Sequence, residues 1–155
     1  MLTLSQMLAR LFIAMALGAI MGFERELVGK EAGIRTAMLV AGGSAIFTMV
    51  SIIIPYMAQV PIEELKNTLP DRVLSNIVVG IGFLGAGVII KTNEHVRGLT
   101  TAALIWSVSS IGVLVGLGLI KFAIIAALCM SGVLYVMRWM GLYEKVRGRN
   151  THQDN

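Results

Sequence analysis

"GIGFLGAG", Gly80–Gly87, can be read in two ways, and the choice decides the fold. Gly80-x-Gly82-x-x-Gly85 is a literal GxGxxG, the glycine pattern of a dinucleotide-binding turn. That turn requires a strand before it, a helix after it and an acidic residue about 20 positions on. The preceding "RVLSNIVV" passes for a buried strand, but about 20 positions beyond the glycines stands "TTAALI", with no acid. Membrane-length apolar segments flank the stretch on both sides. A lone strand cannot cross lipid, because its backbone N–H and C=O groups would go unsatisfied. The nucleotide reading is therefore rejected, and Gly80–Gly87 is read as the inner half of a transmembrane helix.

Composition agrees. The chain has 155 residues, 56% hydrophobic, with only 14% charged and a mean hydropathy of +0.80. Soluble domains carry about a quarter charged residues. The sequence pI of about 9.6 would suggest nucleic acid as partner in a soluble protein. Here the charges lie at helix ends, so the expectation is a lipid bilayer and no nucleic acid. No cleavable targeting segment is read at the N-terminus "MLTLSQMLAR". Cys129, the single cysteine, lies in an apolar run and is read as a packing residue.

A hydrocarbon core of about 30 Å needs about 20 helical residues. Five spans meet this: about Leu4–Phe23, Thr36–Tyr56, Val73–Ile90, Leu99–Leu117 and Phe122–Met140. The fold class is all-α integral membrane, with residues 1–140 as the transmembrane domain and 141–155 as a basic cytoplasmic tail. Nine Lys and Arg fall on one side of such a bundle and four on the other. The positive-inside bias then places the tail in the cytoplasm and the N-terminus in the periplasm. Trp139, Tyr135 and Tyr143 suit an interfacial belt. In the outer loop "AQVPIEELKNTLPD", Glu63, Glu64 and Asp71 are weak evidence for a cation site, and a solvated loop is the plainer reading.

An offset of 65 residues lays "GIRTAMLVAGGSAIF" from Gly33 over "GLTTAALIWSVSSIG" from Gly98. Gly22 meets Gly87, Thr36 meets Thr101, and Ser44 meets Ser109. Helices one–two and three–four are thus related hairpins, a parallel repeat with a pseudo-two-fold along the membrane normal.

On a helix, Asn76, Gly80 and Gly87 share one face, with Gly82 and Gly85 roughly opposite. Small residues on two faces admit two close neighbours. This predicts helix three at the bundle centre, with Gly18-x-x-x-Gly22 and Gly112-x-x-x-Gly116 as its contacts. Each glycine is read as packing, and a kinked or unwound segment around a site is the sharper alternative. Asn76, deep in a span, is expected to hydrogen-bond inside the bundle. Arg10 lies about two turns from the outer edge, close enough to snorkel or to pair with Asp71.

"GFERELVGKEAGIRT" holds Glu24, Arg25 and Glu26 where helix one leaves the membrane. Glu24 and Glu26 are two apart and do not share a face, which argues against a catalytic carboxylate pair. Glu31 and Arg35 are spaced to pair. Two readings stay open: exposed helix-end charges, or a charge network with Lys91, Glu94, His95 and Arg97 on the twin loop. Sequence patterns of nucleophilic or metal-dependent catalysis are not found, so no enzyme, no metal site and no cofactor is expected.

The motifs "GFERE…GKEAGIRT", "GIGFLGAGVI" and "GLTTAALIW" together resemble the MgtC/SapB family of bacterial membrane proteins, strongly over about Leu4–Gly118. Some members carry a soluble C-terminal domain, and this chain resembles the short, membrane-only members. The family often has Gln where Asn76 stands. The resemblance implies a non-enzymatic inner-membrane protein tied to magnesium limitation and, in some pathogens, to virulence. It implies contact with a membrane partner, the rotary ATP synthase or a small regulatory peptide, and it leaves room for a homodimer. The family's motif positions fall here on Glu24, Arg25, Glu26, Arg35, Gly80, Gly82, Phe83, Gly85, Gly87, Thr100, Thr101 and Trp106. The competing expectation is a small-ion or small-solute transporter or channel. Its site would lie between the two hairpins near Asn76 and Gly80–Gly87. A polar cavity there would favour transport, and a dry, close-packed interface would count against it.

Overall fold

The computed structural model describes residues 2–57, 70–92 and 95–150, with the backbone alone at 56, 70, 71 and 142–150. The chain runs α1 (Leu4–Leu27), α2 (Ile34–Met57), α3 (Pro70–Val88), β1 (Ile90–Lys91), β2 (Val96–Arg97), α4 (Leu99–Leu117) and α5 (Ile120–Asn150). Four of the five helices are long and apolar enough to cross a membrane, and α3 adds a shorter apolar stretch, Arg72–Val88. The expected all-α membrane fold is what forms. The Glu63–Glu64 loop lies outside the described residues, as do the Asp71 and Tyr143 side chains and residues 151–155.

The ends of the helices follow local chemistry. Thr3 and Gln6 form a reciprocal capping box that starts α1. Gly118, at φ +89, ends α4 in a left-handed cap, and Leu119 N–H returns to the Leu114 carbonyl. This two-residue break is what separates α4 from α5. Helix α1 runs one turn further than expected, carrying Glu24 and Arg25 with it. Helix α3 is continuous through all its glycines, so the segment is not unwound. The α3–α4 connection is a small antiparallel ribbon pairing Ile90 with Arg97 and Lys91 with Val96.

Small residues decide who sits at the centre. In lipid there is no hydrophobic drive between helices, so close backbone approach sets the packing. Ala37, Ala41 and Ala45 form a stripe on α2, and all three are buried. Gly18 and Gly22 of α1 pack on one side of that stripe, where an added Cβ would lie 2.6 Å from the Ala37 carbonyl and 2.8 Å from that of Gly33. Gly112 and Gly116 of α4 pack on the other, against Ala41, Ser44, Ala45 and Thr48. The core is completed by Ala14, Leu17, Met21, Val108, Ile111, Val115, Ala123 and Ala127. The expectation of α3 at the centre is therefore corrected. Both glycine pairs contact α2, and α3 lies at the periphery, mainly against α4. Its one buried residue among the described side-chain positions, 72–88, is Gly85, in ordinary contact with Ala102. The repeat counterpart of Gly18 is Phe83, too large for such a seam, and its side chain is 80% exposed.

The repeat has a direct structural signature. Ser44 and Ser109, exactly one offset of 65 apart, share a buried hydrogen bond of 2.8 Å. Equivalent residues meet each other only at a two-fold axis, so the pseudo-two-fold passes between α2 and α4. Replacing Ser44 with Ala should cost about 1 kcal/mol, within the range of interhelical hydrogen bonds in membranes. Adding Ser109→Ala should cost little more, because the pair acts as a unit. Unfolding in detergent of the parent chain, the two single variants and the double variant checks both.

Candidate functional site

Two regions carry the residues singled out in the sequence. The first is the end of the bundle formed by the α1–α2 and α3–α4 connections. Glu24 and Arg25 are not exposed helix-end charges. They are 9% and 8% exposed, with Arg25 Nη1 3.6 Å from Glu24 Oε2. That is the ion pair among the described residues, and the Glu31–Arg35 pairing does not form. Glu24 Oε2 and Arg25 Nε have no hydrogen-bond partner. Glu26 does something different. Its Oε2 accepts from Ile34 N–H at 3.0 Å, so it crosses the loop to cap α2. Gly33 fits beneath it, since a Cβ there would collide with the Glu26 carboxylate.

A cavity of about 700 Å³ opens beside this pair, with Arg25, Lys30 and Glu31 on one wall and Arg97, Thr100 and Thr101 on the other. The first and third motifs are thus brought together, as the twin-loop reading anticipated. Lys91 and His95 are exposed and do not line that cavity, and Glu94 lies outside the described residues. Arg35 lines a smaller neighbouring cavity of about 350 Å³ with Glu26 and Lys30.

The second region is a groove of about 550 Å³ between α2 and α3. Leu39, Val40, Gly43 and Phe47 form the α2 side, and Val73, Asn76, Ile77, Gly80 and Leu84 the α3 side. Asn76 does not hydrogen-bond inside the bundle as expected. It is exposed and faces this groove, where no described residue offers it a partner. Nothing lies within 4 Å of a Cβ added at Gly80, Gly82 or Gly87. The three glycines are open surface, not packing contacts. Trp106, half-exposed, lines a separate cleft between α3 and α4.

The pseudo-two-fold gives the groove its meaning. It exchanges α1 with α3 and α2 with α4. Helix α5 packs against α1 and α4. The symmetry-related position lies against α3 and α2, which is where the groove opens. One of two equivalent seats is filled by a helix, and no helix among the described residues fills the other. Between the hairpins, the α2–α4 seam itself is close-packed around Gly112, Gly116 and the Ser44–Ser109 bond.

Sequence reading missed the role of Arg10. Its Nη1 donates to the Gly116 carbonyl at 2.7 Å and the guanidinium lies over Gly118, while the Asp71 side chain, the other partner expected for it, lies outside the described residues. A cation there satisfies the carbonyl end of α4. The signal was present in the position of Gly118 as a helix stop. Among the described residues no three His, Cys, Asp or Glu side chains group to hold a metal.

Comparison with known proteins covers nearly the whole bundle. The sequence profile of the MgtC family matches residues 11–142. A Haemophilus influenzae protein described as uncharacterized is 38% identical over 149 residues, 92% of this chain and 61% of that protein. Protein MgtC of Brucella abortus is 42% identical over 125 residues, 81% of this chain and 48% of that one. Protein MgtC of Salmonella typhimurium is 45% identical over 118 residues, 76% of this chain and 46% of that one. The chain spans about half the length of these two MgtC relatives. No solved structure matches it.

Proposed function

The chain belongs to the MgtC family, a family of membrane proteins, and on that premise we propose that it is a regulatory protein of the bacterial inner membrane. It works without catalysis, by binding another membrane protein, and it serves growth under magnesium limitation and, in a pathogen, virulence. Its tail faces the cytoplasm and its N-terminus the periplasm. The observation that carries this reading is the groove between α2 and α3. The groove is apolar apart from Asn76 and Ser44, and it is the pseudo-symmetric twin of the seat that α5 occupies. Its occupant is a transmembrane helix of the partner. Glycines 43 and 80 let that helix approach closely, and Asn76 offers it a hydrogen bond at a depth where polar contacts hold helices together. The partners implied by the resemblance, the rotary ATP synthase or a small membrane peptide, would both present such a helix.

Transport is the second reading. The close-packed α2–α4 seam weighs against a path between the hairpins, and the groove is lined chiefly by apolar side chains.

Growth at limiting magnesium, in cells complemented with variants, tests the proposal. Gly80→Leu fills the groove without displacing backbone and should abolish complementation. Gly132→Leu, on the open face of α5, should complement normally. Equal growth of the two would overturn the groove as the working surface. Ion flux into liposomes containing the purified protein alone would instead support transport.

A further inference from the structure

The cavity at the motif end has a property that the groove reading does not use, and it shares no lining residue with the groove. We infer that it binds a phosphate-bearing anion at the N-terminus of α4.

The two halves of the repeat supply the argument. Both α2 and α4 begin just after a glycine, Gly33 and Gly98. The N-terminus of α2 receives a carboxylate from the chain itself, Glu26 on Ile34 N–H. Adding 65 to 26 places Lys91 at the corresponding position in the second half. Gly98, at φ +87, precedes α4 without any side-chain cap. The first N–H groups of α4 therefore lack the anion that their twins have, and a helix N-terminus attracts one.

The surrounding walls are built for the same charge. Arg25, Lys30 and Arg97 line the cavity, with Thr100 and Thr101 contributing hydroxyls from the first turn of α4. Glu31 is the acid among the lining residues, and Glu24 stands behind Arg25. Arg25 is the decisive group. It is more than nine-tenths buried, its Nε has no hydrogen-bond partner, and its contact with Glu24 is a long 3.6 Å. A guanidinium carries five donors, and a buried one left short of partners is costly. An oxyanion in this cavity would meet Arg25, the helix N-terminus and two further cations together. At about 700 Å³ the cavity exceeds what bare phosphate fills. The exposed Val96 and Leu99 beside it add an apolar rim. A phosphate ester is the fitting chemistry, supplied by an anionic lipid headgroup or by a free phosphate compound.

The test uses the full chain purified in detergent. Native mass spectrometry reads retention of phosphatidylglycerol against phosphatidylethanolamine, and phosphorus NMR reads binding of inorganic phosphate. Arg97→Gln and Lys30→Gln are exposed and should fold. Each should weaken binding roughly tenfold, the loss of one charge-assisted hydrogen bond. Thr100→Val should weaken it several-fold at unchanged net charge. Lys91→Gln, on the adjacent ribbon but outside the cavity, should leave binding unchanged. Preferential retention of phosphatidylglycerol with no phosphate binding identifies the headgroup, and phosphate binding identifies the free anion. Binding of neither probe, or a loss in Lys91→Gln equal to that in Arg97→Gln, overturns the site.

Discussion

Gly112→Ala, a change of one methyl group, is expected to cost at least about 3 kcal/mol and to leave little folded protein in detergent. A Cβ at this position collides with the Ala41 carbonyl oxygen and comes within 2.9 Å of Ser44 Cβ. Neither is the end of a flexible side chain, so α2 and α4 must separate. That separation breaks the Ser44–Ser109 bond and loosens Gly116, whose own Cβ would lie 2.7 Å from Thr48 Cβ. The matching change at Gly80 should be neutral or stabilising by up to about 1 kcal/mol, since alanine is the better helix former and nothing stands near. Unfolding of the two variants by increasing SDS fraction distinguishes them. Equal losses would mean that Gly80 on α3 is as closely packed as Gly112, contradicting its open surroundings.

Glu24→Ala should be comparably damaging, at about 3–5 kcal/mol, the usual cost of breaking a buried ion pair from one side. The carboxylate is removed while Arg25 stays buried with its charge. The double variant Glu24→Leu with Arg25→Met should recover most of the loss, because apolar groups of similar volume leave no charge behind. A double-mutant cycle on unfolding in detergent measures the coupling. Additive losses would show that the two side chains do not act as a pair.

These two sites also mark where the sequence was and was not readable. The spans were legible because apolar runs of membrane length leave a helix as the sole way to satisfy the backbone. The fourth span was placed at Leu99–Leu117, and α4 falls on those residues, although Gly118 as its stop was not singled out. The repeat was legible as an alignment, and one aligned pair, Ser44 and Ser109, proves to be in direct contact. The identity of the central helix was not. Glycines are most abundant on α3, four against two each on α1 and α4, but a glycine marks close approach only if a small residue faces it. The facing residues are Ala37, Ala41 and Ala45, spaced by four on α2, while Phe83 keeps α3 outside.

The charged end was half-legible. One of the two readings left open brought the twin loops together, and Arg25 and Arg97 do line one cavity. The burial of Glu24 and Arg25 was hidden because adjacent residues on a helix do not share a face. What encloses them comes from other elements. Asn76 misled for the opposite reason. A polar group inside a span was assumed to have its partner within the same chain, and here it faces an uncovered groove. Arg10 found a backbone carbonyl 106 positions away, a partner that side-chain pairing rules do not consider.

The central claim is that the α2–α3 groove seats a helix from another membrane protein. A photoreactive amino acid in place of Leu84, a large side chain already lining the groove, tests it most directly, with position 132 on the open face of α5 as comparison. After irradiation of intact membranes, position 84 should give one discrete protein adduct, and position 132 none. Gly43→Leu, which fills the opposite wall of the groove, should abolish the adduct at position 84. Lipid adducts alone at both positions, or the same protein adduct from both, would contradict the account.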